Sequence, residues 1–157
     1  YYYMRLVRLI VTFFYIGHAK IAPGSIASLV TTLIFYFFAK HLISYLFIII
    51  ILITSILAFF AVSIYTHELS EKDRSEIVID EVIGQSIALL PLLLFEQTNP
   101  PQLFMCVISL LFFRFFDIIK PYPINKFDRM KNTFGVIFDD VLAGIFSALL
   151  LIFALSF

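Results

Sequence analysis

The sequence predicts an all-α, polytopic membrane protein, with about five transmembrane helices preceded by a short interfacial or re-entrant helix. Composition is the first ground. Hydrophobic residues make up 62% of the 157 residues and charged residues 14%, whereas a soluble domain is nearer half apolar and a quarter charged. The second ground is arrangement. The apolar residues fall in long runs that approach the roughly 20 residues a helix needs to cross hydrocarbon. The third is the basic residues, which gather on one side of the membrane once those runs are taken as spans.

Along the chain, Tyr1, Tyr2 and Tyr3 stand ahead of Met4 and read as a remnant before a native start at Met4; they carry no functional argument. Residues 6–16 are too short to span. They read as a helix at the interface, leading into the loop 17–24. No small-residue cleavage site follows them, so no cleavable signal peptide is expected. The first span is 25–39. The turn Ala22-Pro23-Gly24-Ser25 enters it, with Ser25 placed to cap the helix. The free N–H groups of such a helix start form a ready anion site. The second span is 42–65. The loop 66–76 (THELSEKDRSE) reads as its continuation or as a short, solvated surface helix. The third span is 77–95, the fourth 102–119 and the fifth 135–157. Lys120-Pro121-Tyr122-Pro123 stops the fourth, because proline cannot continue a helix. No polar stretch is long enough for a second, soluble domain, so residues 1–157 read as one membrane-embedded domain.

This parsing puts Arg5, Arg8, Lys20, Lys72, Arg74, Lys120, Lys126, Arg129 and Lys131 on one side and only Lys40 on the other, with Arg114 inside the fourth span. Lysine and arginine collect on the cytoplasmic side of membrane proteins, so the basic side is expected to be cytoplasmic. Formal net charge is zero, which gives no reason to expect a nucleic-acid partner. Cys106 is the single cysteine and lies in an apolar run, where it reads as a packed thiol. His18, His41 and His67 lack metal-ligand spacing, and neither a Ser-His-Asp set nor a glycine-rich nucleotide loop is present.

The informative residues are acids. Asp80 and Glu81 open the third span, Asp139 and Asp140 sit at the same depth in the fifth, and Asp117 ends the fourth. All five fall near the basic side. An acid in the middle of a membrane helix costs roughly 2.5–3.5 kcal/mol, and less near an end. Two adjacent pairs therefore call for compensation, and a divalent cation is the natural one. Magnesium takes hard oxygen ligands, including carboxylates, water and phosphate. The simpler alternative is that the acids reach out to the interface or favour the positive ends of their helices. The segments IDEVIG (79–84) and FDDVLAG (138–144) also echo each other, with small residues that would let the two helices approach closely. Arg114, Asp117 and Lys120 are spaced i, i+3, i+6 on one helical face. They suit either an internal ion-pair ladder or a phosphate clamp.

Four stretches, GHAKIAPGSIAS (17–28), IVIDEVIG (77–84), FRFFDIIKPYPINKFDR (113–129) and GVIFDDVLAG (135–144), together resemble the phosphatidylglycerophosphatase A family, in order and spacing, over nearly the whole chain from about residue 10. The resemblance implies a small helical enzyme of the bacterial cytoplasmic membrane. Such an enzyme uses Mg2+ to remove the terminal phosphate of phosphatidylglycerophosphate, a phospholipid substrate held in the bilayer. It implies that Asp80 and Glu81 are the family's first acidic pair and Asp139 and Asp140 its second, and that Asp117 and Lys120 lie in its arginine-to-proline motif. Ser25 stands where many members carry Thr, so a hydroxyl is kept. The expected metal ligands are Asp80, Glu81, Asp139 and Asp140. Ser25, Arg114 and Lys120 are expected to bind substrate, and the acids with Lys120 to carry the chemistry. The attacking group would be water or an Asp. Two rivals remain. A lipid phosphotransferase would need a D-G-x-x-A-R signature, which is absent. A cation channel or transporter would need acids at mid-membrane.

Overall fold

The computed structural model describes residues 2–68, 75–95, 102–130 and 132–156. Among these, all regular structure is helical: α1 (Tyr2–Val11), α2 (Pro23–Phe38), α3 (Ser44–Glu68), α4 (Ile79–Leu89), α5 (Pro91–Leu94), α6 (Gln102–Ile119), α7 (Ile124–Asp128) and α8 (Thr133–Leu155), with single 3-10 turns after α2 and before it. Among the described residues, four stretches are long and apolar enough to cross a membrane: Pro23–His41, Ser44–His67, Gln102–Ile119 and Thr133–Leu155.

The remaining expected span, 77–95, is different. It breaks into α4 and α5 because Pro91 has no N–H to give to Ile87. The Leu90 N–H takes that carbonyl at 3.2 Å instead, tightening the turn. At 1.5 Å per residue α4 is only about 16 Å long, about half a hydrocarbon thickness. It is also the innermost helix. Eight of its eleven residues are buried, and α2, α3, α6 and α8 all pack against it. Its crossing with α8 depends on Gly84 and Gly144. A methyl group on Gly144 would collide with the Gly84 backbone, and one on Gly84 with Phe113 and the Asp140 carbonyl. The two echoed segments therefore meet face to face.

The outer faces carry exposed apolar side chains, including Ile49, Leu52, Ile56 and Phe60 of α3, as expected of helices solvated by lipid. Buried hydroxyls of Ser28, Thr32 and Ser147 donate to carbonyls one turn back in their own helices, at 2.6–2.9 Å, so they need no outside partner. On the side away from the acids, Phe35, Phe47, Leu89, Leu92, Met105, Cys106 and Leu151 form a buried apolar cluster.

The short helix expected over 6–16 lies earlier, as α1 at Tyr2–Val11. It is too short to span, and its Val7 and Val11 are buried in one cluster with Ala58, Ala61, Val62 and Tyr65 of α3. Phe13, Phe14 and Tyr15 then run left-handed, with φ of 43°, 55° and 68°. Each costs roughly 1–2 kcal/mol. Thr12 holds the reversal: its hydroxyl donates to Arg8 O at 2.8 Å and accepts from Tyr15 N at 3.1 Å. Gly17, with no Cβ, then lies directly on the Glu76 carbonyl. The Glu76 carboxylate accepts from Tyr65 Oη at 2.8 Å and stands 3.4 Å from both Arg8 and His18 Nδ1. The N-terminal segment is thus stitched to the entry of α4. Of the loop expected at 66–76, α3 takes residues up to Glu68. Lys72, Arg74 and Lys131, three of the basic residues used to orient the chain, lie outside the described residues.

Candidate active site

The acids converge where α4 and α8 begin and α6 ends. Asp80 and Glu81 occupy the first turn of α4, where carboxylates favour the positive end of the helix dipole. Asp80, Asp139 and Asp140 are buried. Asp80, Glu81 and Asp140 each bring a carboxylate oxygen to one point, all within 4.8 Å of one another. The echoed pairs are also built alike. Asp80 Oδ1 accepts from the Glu81 N–H at 3.1 Å, and Asp139 Oδ1 from the Asp140 N–H at 3.0 Å.

Asp139 stands beside this trio and within electrostatic reach of Asp80, but its other oxygen is committed. Oδ2 accepts from Lys120 Nζ at 2.7 Å. The geometry therefore gathers three of the four expected metal ligands around one point and leaves the fourth on a lysine. Asp117 interacts electrostatically with Glu81 and Asp140, so all five acids share one region.

Asp117 also pairs with Arg114, Nη1 to Oδ2 at 2.5 Å. That is one rung of the ladder; Lys120 leaves it. Just past the end of α6 the backbone of Lys120 turns left-handed, with φ 47°, and swings its ammonium to Asp139 and to Asp128 Oδ1 at 2.5 Å. Burial alone would lower its pKa, but the hydrogen bonds to Asp128 and Asp139 outweigh burial and push it well above the ordinary lysine value.

Ser25 is not the cap of α2. Pro23 presets the helical φ at the first position, so the helix starts earlier and Ala22, at φ 45°, is the capping residue without a side-chain bond. Ile26 N is the first to bond back, to Ala22 O at 3.1 Å, which leaves the Gly24 and Ser25 N–H groups ahead of the ladder. Gly24 is placed tightly: a methyl group there would strike the Glu81 carboxylate. The start of α2 thus lies directly on the acid cluster.

Three residues of this region escape a reading of the sequence. Gly24 makes the close approach just described. Asp128 holds Lys120. Gln85, one turn beyond Glu81 on α4, is fully buried, with Nε2 3.5 Å from Ser109 Oγ. Among the described residues, the buried side-chain atoms with no hydrogen-bond partner are Glu81 Oε2, Gln85 Oε1, and Arg114 Nε and Nη1. Arg114 Nη1 appears both here and in the ion pair with Asp117. At 2.5 Å the Asp117 carboxylate meets Nη1, which leaves Nε as the guanidinium nitrogen without a partner.

Comparison with known proteins agrees with this construction. The family model described as phosphatidylglycerophosphatase A matches residues 9–155. A phosphatidylglycerophosphatase A of Haemophilus influenzae is 33% identical over 137 residues, covering 87% of this chain and 80% of the relative. One from Escherichia coli K12 is 30% identical over 138 residues, covering 87% and 76%. A Bacteroides thetaiotaomicron protein, provisionally named a phosphatidylinositol-3-phosphatase, is 36% identical over 80 residues, covering 51% of this chain and 48% of its own length. No solved structure matches. The matched region takes in every helix that contributes to the acid cluster, and on this ground the chain belongs to the phosphatidylglycerophosphatase A family.

Proposed function

We propose that this protein hydrolyses the terminal phosphomonoester of phosphatidylglycerophosphate to phosphatidylglycerol and phosphate, with magnesium, at the cytoplasmic face of the bacterial inner membrane. One observation supports this above the rest. A buried acceptor without a donor (Glu81 Oε2) lies in the same region as a buried donor without an acceptor (Arg114 Nε). Unpaired buried polar groups of either kind are costly. A cation meets the first and an anion the second, and a metal-phosphate pair meets both.

The donor set fits magnesium, since it is all oxygen and rich in carboxylate. Asp80, Glu81 and Asp140 would hold the ion. When bound, it supplies positive charge against the phosphoryl oxygens and makes water a better nucleophile. Arg114 donates its free Nε–H to the phosphate, and the N–H groups of Gly24 and Ser25 with the Ser25 hydroxyl face the same anion from the start of α2. Asp117 holds the guanidinium in place. Lys120 has three donors; Asp128 and Asp139 take two and the third is left for a phosphate oxygen. Water adds to phosphorus, the bond to the glycerol oxygen breaks, and that oxygen leaves with a proton. The acyl chains stay in the bilayer. The apolar cluster beneath the site, together with buried Phe113, speaks against a cation path through the bundle.

The test is phosphate release by purified protein in micelles. Phosphatidylglycerophosphate should be hydrolysed only with magnesium, while glycerol 3-phosphate should be turned over at least about tenfold less well. Asp80→Asn should weaken the apparent magnesium affinity and recover partly at high magnesium. Equal turnover of lipid and soluble ester, or an unchanged magnesium titration for Asp80→Asn, would refute the site. Phosphatidylinositol 3-phosphate belongs in the same panel because of the Bacteroides relative.

A further inference from the structure

Asp128 lies in a polar stretch between helices, where a carboxylate is ordinary. Its setting is not. It ends α7, a helix of five residues whose position on α8 is fixed on several sides. Ile124 is fully buried. The Phe127 ring meets Phe138 at 4.7 Å and Phe134 at 6.2 Å between centroids, both edge-on. Gly135 leaves no room for a Cβ against the carbonyls of Phe127 and Met130. Phe127 precedes Asp128 as Phe138 precedes Asp139, so docking one ring on the other brings the two carboxylates to opposite sides of one space. Lys120 fills it, with Nζ 2.5 Å from Asp128 Oδ1 and 2.7 Å from Asp139 Oδ2. Its own backbone is held left-handed at φ 47°, a conformation a lysine adopts only where its surroundings require it.

We propose that Asp128 is a positioning residue for the phosphate-binding lysine: with Asp139 it clamps the Lys120 ammonium on two sides and fixes the direction of the third N–H. A lysine on a flexible stem is otherwise a poorly aimed point charge. Held by Asp139 alone, the ammonium would turn inward to the buried carboxylate and away from the substrate. This rests on the reading above, in which Lys120 meets the phosphate.

The test is a double-mutant cycle on the purified full-length protein, with phosphatidylglycerophosphate as substrate and saturating magnesium. Asp128→Ala should lower kcat about tenfold to a hundredfold, the range for losing a charge-assisted hydrogen bond, with KM changed by no more than about twofold. Asp128→Glu should recover part of the loss. In a Lys120→Met background, Asp128→Ala should cause no further fall, because residues that act as a unit are not additive. Thermal midpoints in detergent report folding. Should Asp128→Ala unfold, Asp128→Asn replaces it in the cycle, keeping the shape and one oxygen of this half-exposed side chain. Losses that multiply in the double variant, or full kcat in Asp128→Ala and Asp128→Asn while Lys120→Met is impaired, would overturn this inference alone. Full activity of Lys120→Met would overturn the role given to Lys120 itself.

Discussion

Gln85 shows how a single neutral side chain can be misjudged in a membrane protein. Its carbonyl oxygen is buried without a donor, and a buried acceptor left unpaired costs about 1–3 kcal/mol. Gln85→Met keeps the volume and discards the amide. Combined with Ser109→Ala, so that the hydroxyl the amide donates to is not left behind, it is expected to raise the thermal midpoint in detergent, corresponding to about 1 kcal/mol; a lowered midpoint would mean that the oxygen has a partner, such as a buried water, in the working protein. The acids were legible because a charge inside an apolar run has an evident cost whatever the fold. Gln85 was not, since its cost depends on burial that only packing decides. Asp128 was hidden for the opposite reason: a polar loop is where an aspartate belongs. Ser25 was read as a cap from residue type alone, and the preset φ of Pro23 moved the helix start past it.

At the scale of elements, the crossing of α4 and α8 sets how far Asp140 stands from Asp80 and Glu81. Gly144→Ala would gain helix propensity of up to about 1 kcal/mol, but its methyl meets backbone of Gly84 rather than a yielding side chain. Overpacking of that kind costs typically 1–3 kcal/mol. The expected outcome is a folded protein with a lower thermal midpoint and a weaker apparent magnesium affinity, read from a thermal-shift titration with magnesium. An unchanged titration would separate the crossing from the site. The small residues of the echoed segments were visible in sequence, and they predicted the close approach. The break between α4 and α5 has its cause in the sequence, at Pro91, but is masked by the apolar run around it. Residues 77–95 have the composition of a span, and only the shift of the Ile87 carbonyl to Leu90 shows where the ladder changes.

At the scale of the molecule, the described cations Lys20, Lys120, Lys126 and Arg129 lie in the segments that flank the acid cluster, and Lys40 lies beyond the other end of α2. In a Cys106→Ser background, a cysteine at Lys126 should resist a membrane-impermeant thiol reagent added to intact cells, and one at Lys40 should react. The reverse pattern would place the site on the outer face. Membrane character followed from composition; of the five expected spans, four are long enough to cross among the described residues. Which helix would be central did not, because the longest apolar helix, α3, is on the outside and α4, too short to span, is inside.

That placement bears on how the protein is made. A nascent chain meets the membrane one helix at a time, and α4 arrives short, acidic and well before α6 and α8. By itself it is a poor candidate for insertion, since each acid is penalised and eleven helical residues fall short of the hydrocarbon width. Until α6 and α8 are made, it has only α2 and α3 to pack against. The acid cluster is therefore completed late in biogenesis, when α8 delivers Asp140 and the glycine face that α4 packs against.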